Sequence, residues 1–195
     1  MPDIAIFQET WGPGNSVLNS HRNYRKIPTL GERGCALILE RDCKTLVVFN
    51  THLDAFSNEF KRLQLAEFME FINNVLRSDQ VKPKEFGVLI CGDFNLRAHI
   101  KGDEYEMLFS AFNSYGGLAV DLGSSLTKTY DPINPLVTFP ENEGRIDYLI
   151  AINAWKEIKI PLQIEKVSID VLQEPILSDH FLQYITIEML NKSQI

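Results

Sequence analysis

Cysteine is scarce and odd in number: Cys35, Cys43 and Cys91 are the 3 in 195 residues, with no Cys-x-x-Cys pair and no Cys/His spacing of the zinc-binding kind. A small disulfide scaffold is thereby excluded. Cys35 and Cys91 lie inside apolar segments and read as small buried hydrophobes of a reducing compartment. Apolar runs such as CALIL at 35–39 are far shorter than the roughly 20 residues a membrane-spanning helix needs. Residues 1–20 hold no basic segment followed by an apolar one, so no signal peptide is visible, and the cytoplasm is the expected compartment. Repeats, low-complexity tracts and Ser/Gly-rich linkers are also missing, which leaves a single domain over 1–195. Positive charge is short: 19 Lys+Arg face 26 Asp+Glu, a net −7, and the acid surplus falls mostly after residue 80. Such a surface is a poor non-specific binder of nucleic acid, whose phosphates are held mainly by Lys and Arg.

What is present is a chain 45% hydrophobic and 23% charged, enough to bury a core. Its apolar residues come in short runs between turn signals. DIAIF (3–7) reads as a buried strand, ALILE (36–40) and LVVFNTHL (46–53) as a hairpin pair turning at Arg41–Lys44, and FGVLIC (86–91), RIDYLIAI (145–152) and FLQYITIEM (181–189) as further strands. Between Phe60 and Arg77, Leu65, Phe68, Met69, Ile72, Val75 and Leu76 recur every three to four residues, the mark of a helix with one buried face. Glu104–Phe112 reads as a second helix, with Tyr105, Leu108, Phe109 and Phe112 on one side. Many strands and few helices point to an α/β chain of two packed, mainly antiparallel or mixed sheets flanked by helices.

Four segments set polar side chains at strand ends. Glu9 closes the first strand, where a carboxylate is either exposed or paired with a metal. Asn50 and His52, two apart, share one face of the next strand; Asn50 is a candidate substrate-binding residue, and His52 is a phosphoryl hydrogen-bond donor or a satisfied structural histidine. Gly92-Asp93-Phe94-Asn95 is turn chemistry or a pair of groups aimed into a cleft. Asp147 on one strand and Ser178-Asp179-His180 before another offer a carboxylate–imidazole pair, in which the carboxylate fixes the tautomer and leaves the other ring nitrogen for proton transfer. The duller readings are a strand charge and an Asx turn. The run HRNYRK (21–26) is a solvated basic loop, or with Trp11 and Tyr24 the lip of a site to which Arg22 and Arg25 bring substrate-binding charge.

Taken in order, PDIAIFQE, FNTHLD, ICGDFN, RIDYLI and LSDHF resemble the endonuclease/exonuclease/phosphatase family, metal-dependent phosphohydrolases that include deoxyribonuclease I, apurinic endonucleases, inositol polyphosphate 5-phosphatases and neutral sphingomyelinases. The resemblance runs from Pro2 to about Glu188. It implies a four-layered α/β sandwich and a Mg²⁺-dependent phosphodiesterase, with Mn²⁺ as a possible substitute. In that scheme Glu9 holds the metal with Asp179 near it. His52 contacts phosphate, Asp93 orients or deprotonates the attacking water, Asn95 holds phosphate or nucleophile, and Asp147 partners His180. The chemistry is coherent, because in-line attack on an anionic ester needs charge neutralised and water aligned.

The family opens on an earlier strand and helix, the strand bearing an Asn metal ligand, whereas this sequence starts at Met1-Pro2-Asp3 on the following strand. The expectation is a domain lacking the first strand and helix, with weakened metal binding and activity and an unpaired sheet position open to oligomerisation. Thr129-Tyr130-Asp131-Pro132 with Asn134-Pro135, and Arg62 with Gln64, resemble the sphingomyelinase-like branch or are purely structural. The leading substrate is a lipid head group or small phosphodiester. The alternatives are a nuclease acting on nucleic acid, which the charge does not favour, and a non-catalytic phosphate-binding member.

Overall fold

A computed structural model describes residues 24–30 (backbone only), 34–41, 44–81, 85–98, 103–126, 128–174, 176 and 178–191. The strand expected at 3–7, Glu9, Trp11, Arg22 and Cys43 lie outside these residues. Strands β1 (Tyr24–Leu30), β2 (Gly34–Arg41), β3 (Lys44–His52), β4 (Phe86–Asp93), β5 (Gly117–Asp121) and β6 (Asp147–Trp155) form one sheet in the order β1-β2-β3-β4-β6-β5. Strands β7 (Leu162–Leu172) and β8 (Leu182–Asn191) pair into a second, two-stranded sheet, and α1 (Asn58–Arg77) and α2 (Asp103–Ser114) complete the regular structure.

The large sheet is apolar on both faces. Ala36, Ile38, Val47, Phe49, Val88, Ile90, Tyr148, Ile150 and Ile152 pack with Leu65, Phe68, Met69 and Ile72 of α1 and Leu108 and Phe112 of α2. The alternate residues Leu37, Leu39, Leu46, Val48, Leu89, Cys91, Leu149 and Ala151 pack against Ile164 of β7, with Ile169, Ile185, Ile187 and Met189 alongside. Double-sided burial is why β2, β3, β4 and β6 read as unbroken apolar runs. Three of the four layers of the expected sandwich are thus among the described residues: helices, large sheet, small sheet.

The predicted hairpin is β2–β3, in register from Gly34↔Thr51 to Arg41↔Lys44. The chain then crosses over through α1 to lay β4 parallel to β3. Helix α1 starts where Ser57 accepts a hydrogen bond from the Phe60 N–H, after Asp54 Oδ1 has accepted those of Phe56 and Ser57. Its buried face is the one the periodicity predicts. Cys91 is buried, and burial pushes its thiol pKa up, so it stays protonated. No helix of the described residues is long and apolar enough to cross a membrane.

Three strands went unpredicted. β5 is five residues with only Gly117 buried, and β7 alternates apolar with charged residues in a half-exposed ribbon. β1, expected as loop, is an edge strand among the described residues, and its ladder with β2 shifts register between Ile27 and Leu30, where Pro28 sits.

One glycine is demanded by the β3–β4 contact. Gly92 has φ +145°, and a Cβ there would overlap the Thr51 carbonyl oxygen. Gly92→Ala is expected to cost about 2–4 kcal/mol of stability in urea unfolding, combining backbone strain with displacement of β3. An unchanged midpoint would contradict the close approach.

Candidate active site

Sheet register assembles the site. His52 pairs with Asp93 across the parallel β3–β4 ladder, and Asp93 with Asp147 across the antiparallel β4–β6 ladder. These three residues form one transverse row at a single end of the sheet. By alternation from Val48, Leu89 and Leu149 all three point to the face that carries the small sheet. His180, in the segment entering β8, reaches the same row. Its Nδ1 lies 2.9 Å from Asp147 Oδ2 and its Nε2 3.7 Å from Asp93 Oδ2, while His52 Nε2 is 3.5 Å from that same Asp93 oxygen.

Asp93 is 3% exposed. A carboxylate so buried is tolerable only with partners, and it has them: the two imidazoles at Oδ2 and the Asn95 N–H, which donates to Oδ1 at 2.8 Å. Asn95 adopts φ +51°, which Asn accepts more readily than most residues, and its Nδ2 donates to the Leu53 carbonyl at 2.9 Å. The Asp93–Asn95 turn is thereby stitched to the end of β3. Asn50 occupies the next row inward, its Oδ1 3.8 Å from Cys91 Sγ. Asp179 is half-buried beside His180 and accepts from Ser178 Oγ at 3.1 Å.

Burial by itself would lower the His180 pKa. The Asp147 carboxylate and its hydrogen bond, then Asp93 and Asp179, outweigh burial and raise it from 6.5 to about 9. The ring is therefore an imidazolium at neutral pH.

Arg25 is not brought to this site. It pairs with Ile38, and Ile38 with Val47, five positions before His52, so its backbone lies about 16 Å back along the strands at 3.3 Å per residue, and two strands over. The helix pair also differs from expectation. Arg62 is exposed, and the buried residues are Lys61 (4% exposed) and Gln64 (7%). Gln64 Oε1 accepts the Asp54 N–H at 2.7 Å, holding the turn after His52. Burial, with the Arg97 charge, lowers the Lys61 pKa, opposed by Glu104, Asp54 and Asp93. Sequence reasoning missed Lys61; its one signal is the three-residue spacing to Gln64, which puts both on one helix face.

Arg145, 3% exposed, anchors the start of β6. It forms a two-pronged ion pair with Asp121 (3.1 and 2.6 Å), lies 4.6 Å over the Tyr148 ring, and its carbonyl accepts the Ala98 N–H. Tyr105 adds a hydroxyl to Asp121 at 3.1 Å.

Ligand atoms of Asp93, Asp147 and His180 lie within 4.8 Å of one another. The two carboxylates fit a hard divalent cation that completes its shell with water, while His180, held protonated by the same carboxylates, stands beside such a cation rather than ligating it.

No protein-family model matches the sequence, and no curated protein matches it. Solved structures do share its fold. An endonuclease/exonuclease/phosphatase from Bacteroides vulgatus matches with TM-score 0.55 at 18% identity, over 80% of this chain and 54% of that one. An endonuclease/exonuclease/phosphatase family protein from Leptotrichia buccalis C-1013-b matches with TM-score 0.55 at 17% identity, over 80% and 53%. D. rerio TDP2 complexed with single strand DNA product matches with TM-score 0.50 at 19% identity, over 85% and 68%. The chain therefore has the endonuclease/exonuclease/phosphatase-type fold, and it spans between about half and two thirds of the length of these proteins.

The elevated His180 pKa has a stability consequence. Its folded value of about 9 exceeds the unfolded 6.5, so the stabilisation is complete below pH 6.5 and disappears as pH rises through 9. Urea unfolding with chelator present should show a loss of about 3 kcal/mol between pH 6 and pH 10. His180→Gln should flatten that slope; a slope that persists in the variant would assign it to other groups.

Proposed function

We propose that this site hydrolyses phosphoric esters by activating water for in-line attack at phosphorus. The observation that carries the reading is the buried Asp93 carboxylate set between His52 and His180, with His180 held by Asp147 at 2.9 Å. Asp147 fixes the imidazole so that Nε2 faces the row, and an imidazolium in that position donates a proton to a phosphoryl or leaving-group oxygen. Asp93 accepts from the attacking water and orients it, and His52 and Asn95 contact phosphate from either side of that carboxylate. Asn50, one row inward on the same face of β3, is a substrate contact in this reading. Asp93 and Asp147, with Glu9 and Asp179 as the ligands the family resemblance implies, would hold Mg²⁺ or Mn²⁺. The ion's contribution is to neutralise charge on the phosphate and polarise its oxygens.

The favoured substrate is a small or lipid head-group phosphodiester. Phe56 (80% exposed) follows the His52 turn, and Phe139 donates its N–H to the Tyr130 hydroxyl next to His180. The two rings meet edge-to-face at 6.5 Å, an exposed apolar ridge linking segments that flank the site. The net charge of −7 argues in the same direction, against a duplex polyanion. The second reading, hydrolysis of single-stranded nucleic acid, is supported by the fold shared with TDP2, whose structure contains a single strand DNA product.

Turnover of bis-p-nitrophenyl phosphate should appear with Mg²⁺ or Mn²⁺, vanish with chelator, and fall about 10³-fold in His180→Ala. Absence of turnover with both metals, or equal turnover in the variant, would remove the hydrolase reading. A choline-phosphate ester run beside a single-stranded oligonucleotide separates the substrate classes. Conversion of the oligonucleotide alone would transfer the assignment to a nuclease.

A further inference from the structure

The two halves of the Asp147–His180 pair come from segments 33 residues apart, and one loop touches both. Thr129 is fully buried. Its Oγ1 accepts the backbone N–H groups of Ile146 and Asp147, each at 3.2 Å, and its carbonyl accepts that of Phe181 at 2.8 Å. A single residue is thus bonded to the backbone of Asp147 and to the residue after His180. Tyr130 bridges Gly144 on one side and His180 on the other, and its ring meets the imidazole edge-to-face at 5.2 Å. Asn134, 2% exposed, donates from Nδ2 to the Ser178 carbonyl at 2.8 Å and accepts the Leu136 N–H through Oδ1 at 3.0 Å. Ser178 Oγ in turn accepts the His180 N–H at 3.3 Å.

We infer that Thr129 and Asn134 are positioning residues: the loop they bound clamps the start of β6 to the His180 segment and sets the imidazole–carboxylate contact on which the proposed hydrolysis rests. The physical case lies in what no other element supplies. Among the described residues β6 is bonded to β4 and β5, and β8 to β7, so no ladder of theirs joins Asp147 to His180. The two side chains must meet within hydrogen-bond range, and a displacement of about 1 Å costs on the order of 100-fold in rate. A hydroxyl that accepts two buried amides is the specific requirement at 129: Ser satisfies it, while Val keeps the shape and leaves both donors unpaired.

The test pairs kinetics on bis-p-nitrophenyl phosphate with NMR of ¹⁵N-histidine-labelled protein. The His180 Nδ1–H resonance is assigned by its disappearance in His180→Gln. Thr129→Val and Asn134→Ala should each lower kcat by roughly 10- to 100-fold with KM within about threefold, and shift or broaden that resonance. Thr129→Ser should retain both. Because Asn134→Ala leaves the two amides at Thr129 satisfied, it tests the clamp independently should Thr129→Val fail to fold. An unshifted resonance in Asn134→Ala, or its loss in Thr129→Ser, would overturn the inference. If the native chain shows no turnover, the hydrolase reading fails by itself, and the resonance still decides the clamp.

Discussion

A buried carboxylate governs the architecture of this site. Asp93 sits at the end of a central strand with almost no access to water, flanked by two imidazoles and bonded to one backbone amide. Each partner arrives by a different route. His52 comes by the parallel pairing of β3, and the Asn95 amide by a two-residue turn in which Asn95 adopts a left-handed conformation. His180 comes by a loop remote in sequence. Removing any one takes a polar neighbour from a buried carboxylate, whose desolvation then goes less well compensated. The surrounding structure can be understood as what holds those three routes in place.

Two kinds of scaffold do this, with different tolerances. Sheet register places His52, Asp93 and Asp147 in a row, and register is insensitive to most single side chains because many ladder bonds share it. The exception is Gly92, where β3 and β4 approach too closely for a Cβ. Loops place His180, and loops depend on individual side chains. Arg145 with Asp121 and Tyr105 fixes the lead into β6, and Thr129 ties that lead to Phe181. The buried ion pair there contributes geometry more than stability, since the desolvation of Arg145 and Asp121 offsets much of their attraction. It tethers β6 to the end of β5 just before Asp147 begins.

Legibility in the sequence followed the same division. Strands buried on both faces, such as CALIL and FGVLIC, announce themselves as apolar runs, and the polar residues that end them stand out as candidates. His52, Asp93, Asp147 and His180 therefore stand out as separate candidates in the sequence, and the row they form comes from strand register. The half-exposed strands were not: β7, LQIEKVSIDVL, interleaves charge with apolar residues, and β1 carries Arg25, Lys26 and Pro28, so both lack the contrast that marks a core strand. Arg25 illustrates a further limit, because a local charge run says nothing about register, and register is what carries it about 16 Å from the site end. Lys61 was illegible for the opposite reason. On a helix its letter looks like a surface cation, and only the packing of α1 against the loops that follow β3 and β4 reveals it as buried among carboxylates.

Charge at the site connects this scaffold to its chemistry. Around His180 stand Asp147, Asp93 and Asp179, three carboxylates against one imidazolium, and Lys61 is already faced by Glu104 and Asp54 as well as Asp93. Among the described residues the row thus remains net negative even with His180 protonated, and a phosphoric ester is itself an anion. Such an ester cannot approach on the attraction of these side chains alone. The same surplus makes the row attractive to a divalent cation, and it raises the pKa of His180 so that a proton is available at neutral pH. The proposed phosphoester hydrolysis is compatible with an anion-repelling cluster on one condition, that a cation accompanies the substrate. Within the proposed hydrolysis, this electrostatic arrangement is the reason the reading includes a metal.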